Sequence, residues 1–145
     1  MPRVLIADDH PVIRRGILGI LQTSPEWELC GQADNGRDAI RLTGELRPEV
    51  VILDVSMPGM NGMEAARVIC EKFPTTKVVL LTLHSSIELI RSAFRAGVRG
   101  YVLKADAEQE LLRALAIVIG DGTYVSPRID DGLVKKVLQE TRESA

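Results

Sequence analysis

Four short apolar runs in this chain end in groups able to do chemistry. Asp8-Asp9 follow residues 4–7, Asp54 follows residues 50–53, Thr82 follows residues 78–81 and Lys104 follows residues 101–103. In an open parallel sheet, ligands bind outside the carboxyl ends of the strands. If these runs are strands, three carboxylates, a hydroxyl and an ammonium meet on one rim. Carboxylates gathered in this way repel: two unit charges ~4 Å apart in a partly buried site cost on the order of 4 kcal/mol, so a pKa rises or a cation enters. Oxygen ligands favour a hard ion, and Mg²⁺ takes one or two carboxylates, keeps waters and bridges to phosphate oxygens. Lys104 supplies a second positive charge for the same group. Such a pocket suits phosphoryl transfer, where positioning and charge neutralisation do most of the work. Asp54 stands alone after the most apolar run and before the flexible Pro58-Gly59-Met60-Asn61-Gly62 loop, which makes it the nucleophile that would form an acyl phosphate. Asp9, and Asp8 directly or through water, would hold the metal, with the backbone carbonyl of Ser56 as a further ligand. Each residue alone also has a plain reading: Asp8-Asp9 as a helix cap before Pro11, Asp54 as a turn residue, Thr82 as strand, Lys104 as a solvated end. The plain readings require four strand ends to carry suitable groups by accident.

The elements that must position these groups are legible from periodicity. Short β-rich runs alternate with segments of helical period, the mark of βαβ units around a parallel sheet. Five strands are expected, at residues 4–7, 28–33, 50–53, 78–81 and 101–103. Runs one, three and four are apolar without alternation, as when helices cover both faces, whereas the second is mixed and suits an edge. Helices are expected at about 11–23, 36–46, 62–72, 86–96 and 107–119, with breakers at Pro25, Pro48, Pro74 and Gly97. Asn61 with Glu64 resembles a capping box, and Gly97 sits where a left-handed residue ends a helix. Ser126-Pro127 reads as the N-cap and first residue of a sixth helix, with Ile129, Leu133, Val137 and Leu138 on one face.

Composition narrows the function classes. The chain has 145 residues, 46% hydrophobic, 26% charged and 3% aromatic, which fits one domain with an aliphatic core. A net charge of −2 gives no electrostatic footprint for a phosphate backbone, so direct nucleic-acid binding by these residues is not expected. No apolar run approaches the ~20 residues of a membrane span, and the apolar stretch near the N-terminus is too short for a signal peptide. Cys30 and Cys70 lack metal-ligand spacing and are expected as reduced thiols, which points to the cytoplasm.

The motifs Leu5-Ile6-Ala7-Asp8-Asp9-His10, Asp54-Val55-Ser56-Met57-Pro58-Gly59-Met60-Asn61-Gly62, Leu81-Thr82 and Gly100-Tyr101-Val102-Leu103-Lys104 together resemble a response-regulator receiver domain, over about residues 3–120. The Asp8-Asp9-His10-Pro11 start and the Lys104-Ala105-Asp106-Ala107-Glu108-Gln109-Glu110-Leu111-Leu112 stretch resemble the NarL/FixJ subfamily. The resemblance implies a doubly wound, flavodoxin-like sheet of strand order 2-1-3-4-5, with a C-terminal helix added. It implies a receiver at residues 1–122 and a linker helix at 123–145, and a two-component phosphoprotein rather than an enzyme with a turnover substrate. A sensor histidine kinase would phosphorylate Asp54 with Mg²⁺, catalysed by the receiver itself. Thr82 would turn towards the phosphoryl group while Tyr101 moves between exposed and buried rotamers. Many receivers have proline after the lysine where Ala105 stands here, and Ser56 and His84 occupy positions that tune phosphoryl lifetime.

Output should lie elsewhere on the surface. Leu111, Leu112, Ala114, Leu115, Val118 and Ile119 make an inward face, whereas Ile117 projects opposite, beside Arg113. Ile13, Ile17, Ile20 and Leu21 face inward on the first helix and Leu18 falls on its flank. These stray aliphatics predict a homodimer through the first and fifth helices. The subfamily's helix-turn-helix, through which DNA would be bound, is expected to be missing, because the residues after Gly122 are too few for it. Three rivals stand beside this reading. A metal-dependent aspartyl-phosphate phosphatase would carry an Asp-x-Asp motif, from which Asp8-Asp9-His10-Pro11 departs. A flavodoxin-like cofactor module would need a Ser/Thr/Gly-rich first loop, and an unphosphorylated scaffold would not need the complete acidic set.

Overall fold

The structure is a computed structural model. It describes residues 1–129 except Ser85, and residues 131–144; the side chains of Asp131, Leu133 and residues 141–144 lie outside the description. The expected place of Leu133 on the sixth helix therefore lies outside the described residues.

Strands and helices alternate as β1 (Arg3–Ala7), α1 (Pro11–Gln22), β2 (Glu28–Ala33), α2 (Gly36–Leu46), β3 (Val50–Asp54), α3 (Gly62–Lys72), β4 (Lys77–Thr82), α4 (Ile87–Ala96), β5 (Gly100–Leu103), α5 (Ala107–Ile119), β6 (Tyr124–Val125) and α6 (Asp131–Ser144). A 3₁₀ turn over Lys104–Asp106 joins β5 to α5. The sheet order is β2-β1-β3-β4-β5-β6, with every described pairing parallel. The five expected strands thus take the order 2-1-3-4-5, and a two-residue sixth strand extends the sheet beside β5.

Why the central strands are apolar throughout is visible in the packing. Side chains of a strand alternate between faces, and here both faces are covered. Leu5, Val51, Leu53, Val78, Leu80 and Tyr101 pack with α2, α3, α4 and α6, whereas Val4, Ile6, Val50, Ile52, Val79 and Val102 pack with α1 and α5. Mixed β2 occupies the open edge, and of its residues only Ala33 is fully buried.

Helix ends follow from capping chemistry. The Asn35, Asn61 and Ser86 side chains accept from the Asp38, Glu64 and Leu89 N–H groups, so each start satisfies a backbone donor that the helix itself cannot. Gly97 closes α4 at φ 106°, a conformation that costs a residue without Cβ little. The start of α6 differs from expectation. Ser126 is buried and its Oγ accepts from the Leu103 N–H at 2.9 Å, while Pro127 and Arg128 form a turn and the helix begins at Asp131. The Ser-Pro pair therefore ties the chain to β5 instead of capping α6. Ile129, Val134 and Val137 of this segment enter the core beside α4, and Arg91 Nε meets Glu140 Oε2 at 3.1 Å.

On α5, Leu111, Ala114, Leu115 and Val118 are buried and Ile117 is 38% exposed, as the period predicts. Leu18, expected on the flank of α1, packs against the core. Cys30 and Cys70 are free thiols, and burial pushes the Cys70 thiol up to about 11. No helix among the described residues is long and apolar enough to cross a membrane.

Candidate functional site

β1 and β3 lie side by side in register, Ala7 opposite Leu53, so the residues just beyond Ala7 and at the end of β3 face each other across one strand spacing. β1 hands over to α1 through Asp8-Asp9-His10, and neither aspartate caps the helix. His10 is the N-cap residue without a side-chain bond, and Pro11 takes the first turn, where its missing N–H has no cost. The carboxylates are left free for the pocket. Asp8 and Asp54 are essentially inaccessible to solvent, and Asp9 is partly exposed.

The loop after β3 folds tightly against its own strand. The Val55 N–H donates to Leu81 O, and the Gly62 N–H returns to Val55 O at 2.9 Å. A Cβ on Gly62 would stand 2.1 Å from Asp54 O and 2.7 Å from Val55 Cα, so only glycine lets α3 begin this close to Asp54.

Lys104 enters from the end of β5. Its Nζ lies 2.9 Å from Asp54 Oδ1 and 3.8 Å from Asp8 Oδ2, with only a tenth of the side chain exposed. The Ser56 N–H also donates to Asp54 Oδ1, at 3.1 Å. Ser56 thus touches Asp54 through its backbone nitrogen. Burial raises the Asp54 pKa above the ordinary carboxylate range; the Lys104 hydrogen bond opposes that rise, and the Asp8 charge adds to it.

Two buried oxygens, Asp8 Oδ2 and Asp54 Oδ2, have no hydrogen-bond partner, and a third, Asp9 Oδ1, accepts no hydrogen bond although the His10 ring nitrogen stands 3.0 Å from it. An unpaired buried carboxylate oxygen is costly, and Lys104 alone cannot serve all three. One ligand atom each from Asp8, Asp9, His10 and Asp54 lie within 4.8 Å of one another. This donor set fits a divalent cation: hard oxygens within reach of one another, excess negative charge and buried oxygens that accept no hydrogen bond.

Thr82 ends β4, is buried, and its Oγ1 accepts from the His84 N–H at 3.1 Å. Tyr101 is wholly buried, and its hydroxyl donates to His84 O at 2.7 Å. Burial raises the phenol pKa, against hydrogen bonding with the Ser86 backbone and the Thr82 side chain. Thr82 and Tyr101 are therefore joined through one loop. Of the residues singled out from sequence, Asp8, Asp9, Asp54 and Lys104 form one cluster, and Thr82 and Tyr101 form a linked pair beside it. The sequence reading did not place His10 in the cluster, although its adjacency to two aspartates was a signal for it.

Fold and site together define a doubly wound, flavodoxin-like domain with an acid-lysine pocket at the carboxyl edge of its sheet. The model of the response regulator receiver domain matches residues 4–116, and the chain belongs to that family. It is 37% identical to the response regulator GacA of Pseudomonas aeruginosa, over 96% of this chain and 65% of that protein. A LuxR-family two-component response regulator from Aurantimonas sp. SI85-9A1 superposes with a TM-score of 0.86 at 28% identity, covering 99% of both chains. RcsB, solved as two dimers bound to two parallel DNAs, superposes at 0.80 with 26% identity over 95% of this chain and 68% of that one. The chain is thus a receiver domain of the LuxR/NarL type, and it spans less than two thirds of the length of curated relatives such as GacA.

Proposed function

We propose that this receiver accepts a phosphoryl group on Asp54 from a sensor histidine kinase, with Mg²⁺ held by Asp8, Asp9, Asp54 and the Ser56 carbonyl, and so controls a transcriptional output. The observation that carries this reading is the state of Asp54. One of its oxygens is held by Lys104 and the Ser56 N–H while Oδ2 is buried and unpaired, poised for an incoming electrophile. Transfer breaks the P–N bond of the kinase phosphohistidine and forms an O–P bond to Asp54; the imidazole leaves with the electron pair. Mg²⁺ supplies charge neutralisation to the phosphoryl oxygens when bound. Lys104 stays beside the carboxylate and balances the added charge, and the walls of Asp8 and the β3–α3 loop limit access of water.

A phosphoryl group adds nearly two negative charges and strong acceptors. The Thr82 hydroxyl would turn to donate its O–H to one of those acceptors and give up the bond its oxygen accepts from the His84 N–H, which loosens the loop whose His84 carbonyl anchors Tyr101. The readout we infer is homodimerisation through α1 and α5. A groove of about 690 Å³ runs between them, lined by Ile13, Gly16, Ile20, Ala107 and Leu112. Exposed Ile117 lies on α5 beyond it.

Treatment with acetyl phosphate and Mg²⁺ should add the mass of one phosphoryl group and no more, and Asp54→Asn should take none. Beryllofluoride with Mg²⁺ should raise the sedimentation coefficient of the wild type and not of Asp54→Asn. Continuous turnover of a small phosphate ester would instead point to a phosphatase, and an unlabelled wild type would refute the reading.

A further inference from the structure

His10 sits in the acid cluster in a way that the phosphoacceptor reading does not use. Its Nδ1 lies 3.0 Å from Asp9 Oδ1 and 3.3 Å from Asp8 Oδ1. The ring is aimed there by its own backbone, because the His10 N–H donates to Asp8 Oδ1 at 2.8 Å. In an octahedral site with ligands ~2.1 Å from the ion, adjacent ligand atoms stand ~3.0 Å apart and opposite ones ~4.2 Å apart. The nitrogen-to-carboxylate spacings match the first distance. The whole set spans 4.8 Å, so closing on one ion requires a contraction of only a few tenths of an ångström at each ligand. Asp8 and Asp54, two of the four residues of this set, are buried and each keeps one oxygen, Oδ2, without a hydrogen-bond partner.

We propose that His10 Nδ1 is an additional metal ligand of this pocket, which makes it selective for first-row transition dications over Mg²⁺. The inference rests on the metal-binding reading of the acid cluster and adds one donor to it. Coordination would need the Nδ1 lone pair, so binding of a dication there would fix the ring as the tautomer with its hydrogen on Nε2. Carboxylate oxygens discriminate weakly between Mg²⁺ and Mn²⁺ or Co²⁺, whereas imidazole strongly favours the transition ions. More than half of the His10 side chain is exposed, so the ring can adjust as an ion enters without disturbing the core.

Co²⁺ is the probe, read by calorimetry and by proton NMR. A coordinated imidazole shows its exchangeable Nε2–H far outside the diamagnetic range. That resonance is expected in the wild type and in His84→Ala, which removes the only other histidine, and is expected to vanish in His10→Ala and His10→Gln. The ratio of Co²⁺ to Mg²⁺ affinity should fall about tenfold in both His10 variants, the low end of what a lost metal-site interaction costs. Circular dichroism confirms that they are folded. The proposal is overturned if the wild type shows no such resonance, if the resonance survives in His10→Ala, or if the affinity ratio is unchanged. Mg²⁺ binding and Asp54 labelling that persist while the imidazole signal is missing remove His10 alone. Failure of both metals to bind removes this inference and the phosphoacceptor reading together.

Discussion

Replacing Lys104 with methionine keeps the buried stem and deletes the charge, so it isolates what the ammonium does. At 2.9 Å from Asp54 and 3.8 Å from Asp8, with an effective dielectric constant of about 20, the gross attractions are roughly 6 and 4 kcal/mol. The net loss is smaller, because a stranded carboxyl can take a proton instead. For a group of ordinary pKa near 4, protonation at pH 7 costs about 4 kcal/mol, at 1.36 kcal/mol per unit. That is the ceiling, and the upward displacement of Asp54 by burial lowers it. Lys104→Met should therefore lose about 2–4 kcal/mol at pH 7 in EDTA, overlapping the lower part of the roughly 3–5 kcal/mol typical when one member of a buried ion pair is removed, because protonation caps the loss. At pH 5 the same ceiling is about 1.5 kcal/mol, so the loss should shrink by half or more. Added Mg²⁺ should stabilise the variant more than the wild type, because the cation replaces the missing charge. Urea unfolding at both pH values, with EDTA and with Mg²⁺, measures all three. A variant within about 0.5 kcal/mol of wild type at pH 7, or a loss equal at the two pH values, would refute the charge coupling.

Three further outcomes follow from the same geometry. Because the folded Asp54 pKa is raised, the native state holds more protons than the unfolded chain in the window just above the ordinary value. Stability contributed by the neutral carboxyl is lost as pH rises through that window. Asp54→Asn should then be more stable than wild type at neutral pH in EDTA, with the gap closing towards pH 4, as thermal melts across pH would show. Gly62→Ala places a methyl group against backbone that cannot yield. It should cost about 3 kcal/mol in urea unfolding and weaken Mg²⁺ binding by calorimetry, because the strain falls on the Asp54 peptide. Tyr101→Phe removes the bond to His84 O and should cost about 1 kcal/mol of stability while leaving phosphoryl labelling of Asp54 in place.

Much of this molecule could be read without coordinates, because parallel strands covered on both faces are uniformly apolar and helices declare themselves by period and cap. α2, α3 and α5 begin and end where periodicity and breakers put them. The acid-lysine cluster was legible for the same reason: each member directly follows an apolar run. What escaped was settled by tertiary contacts. β6 has two residues, below the length at which alternation can register. Ser126-Pro127 has the composition of a helix start, yet the Ser126 hydroxyl was claimed by a distant Leu103 N–H, a partner that no local pattern reveals. Leu18 looked like a stray aliphatic because a helical wheel assigns faces and cannot show how far a neighbouring element reaches.

The short β6 has a consequence for how this protein can be cut. Its two rungs on β5 and the Ser126 latch saturate backbone groups along the border of the strand that carries Tyr101 and runs into Lys104. Tyr124, Ile129, Val134 and Val137 seal that flank with apolar surface. A truncation after Gly122 would leave an unzipped, sticky margin next to the lysine, where foreign strands can add on. The tail is better regarded as a hem that keeps the fabric from fraying than as spare thread.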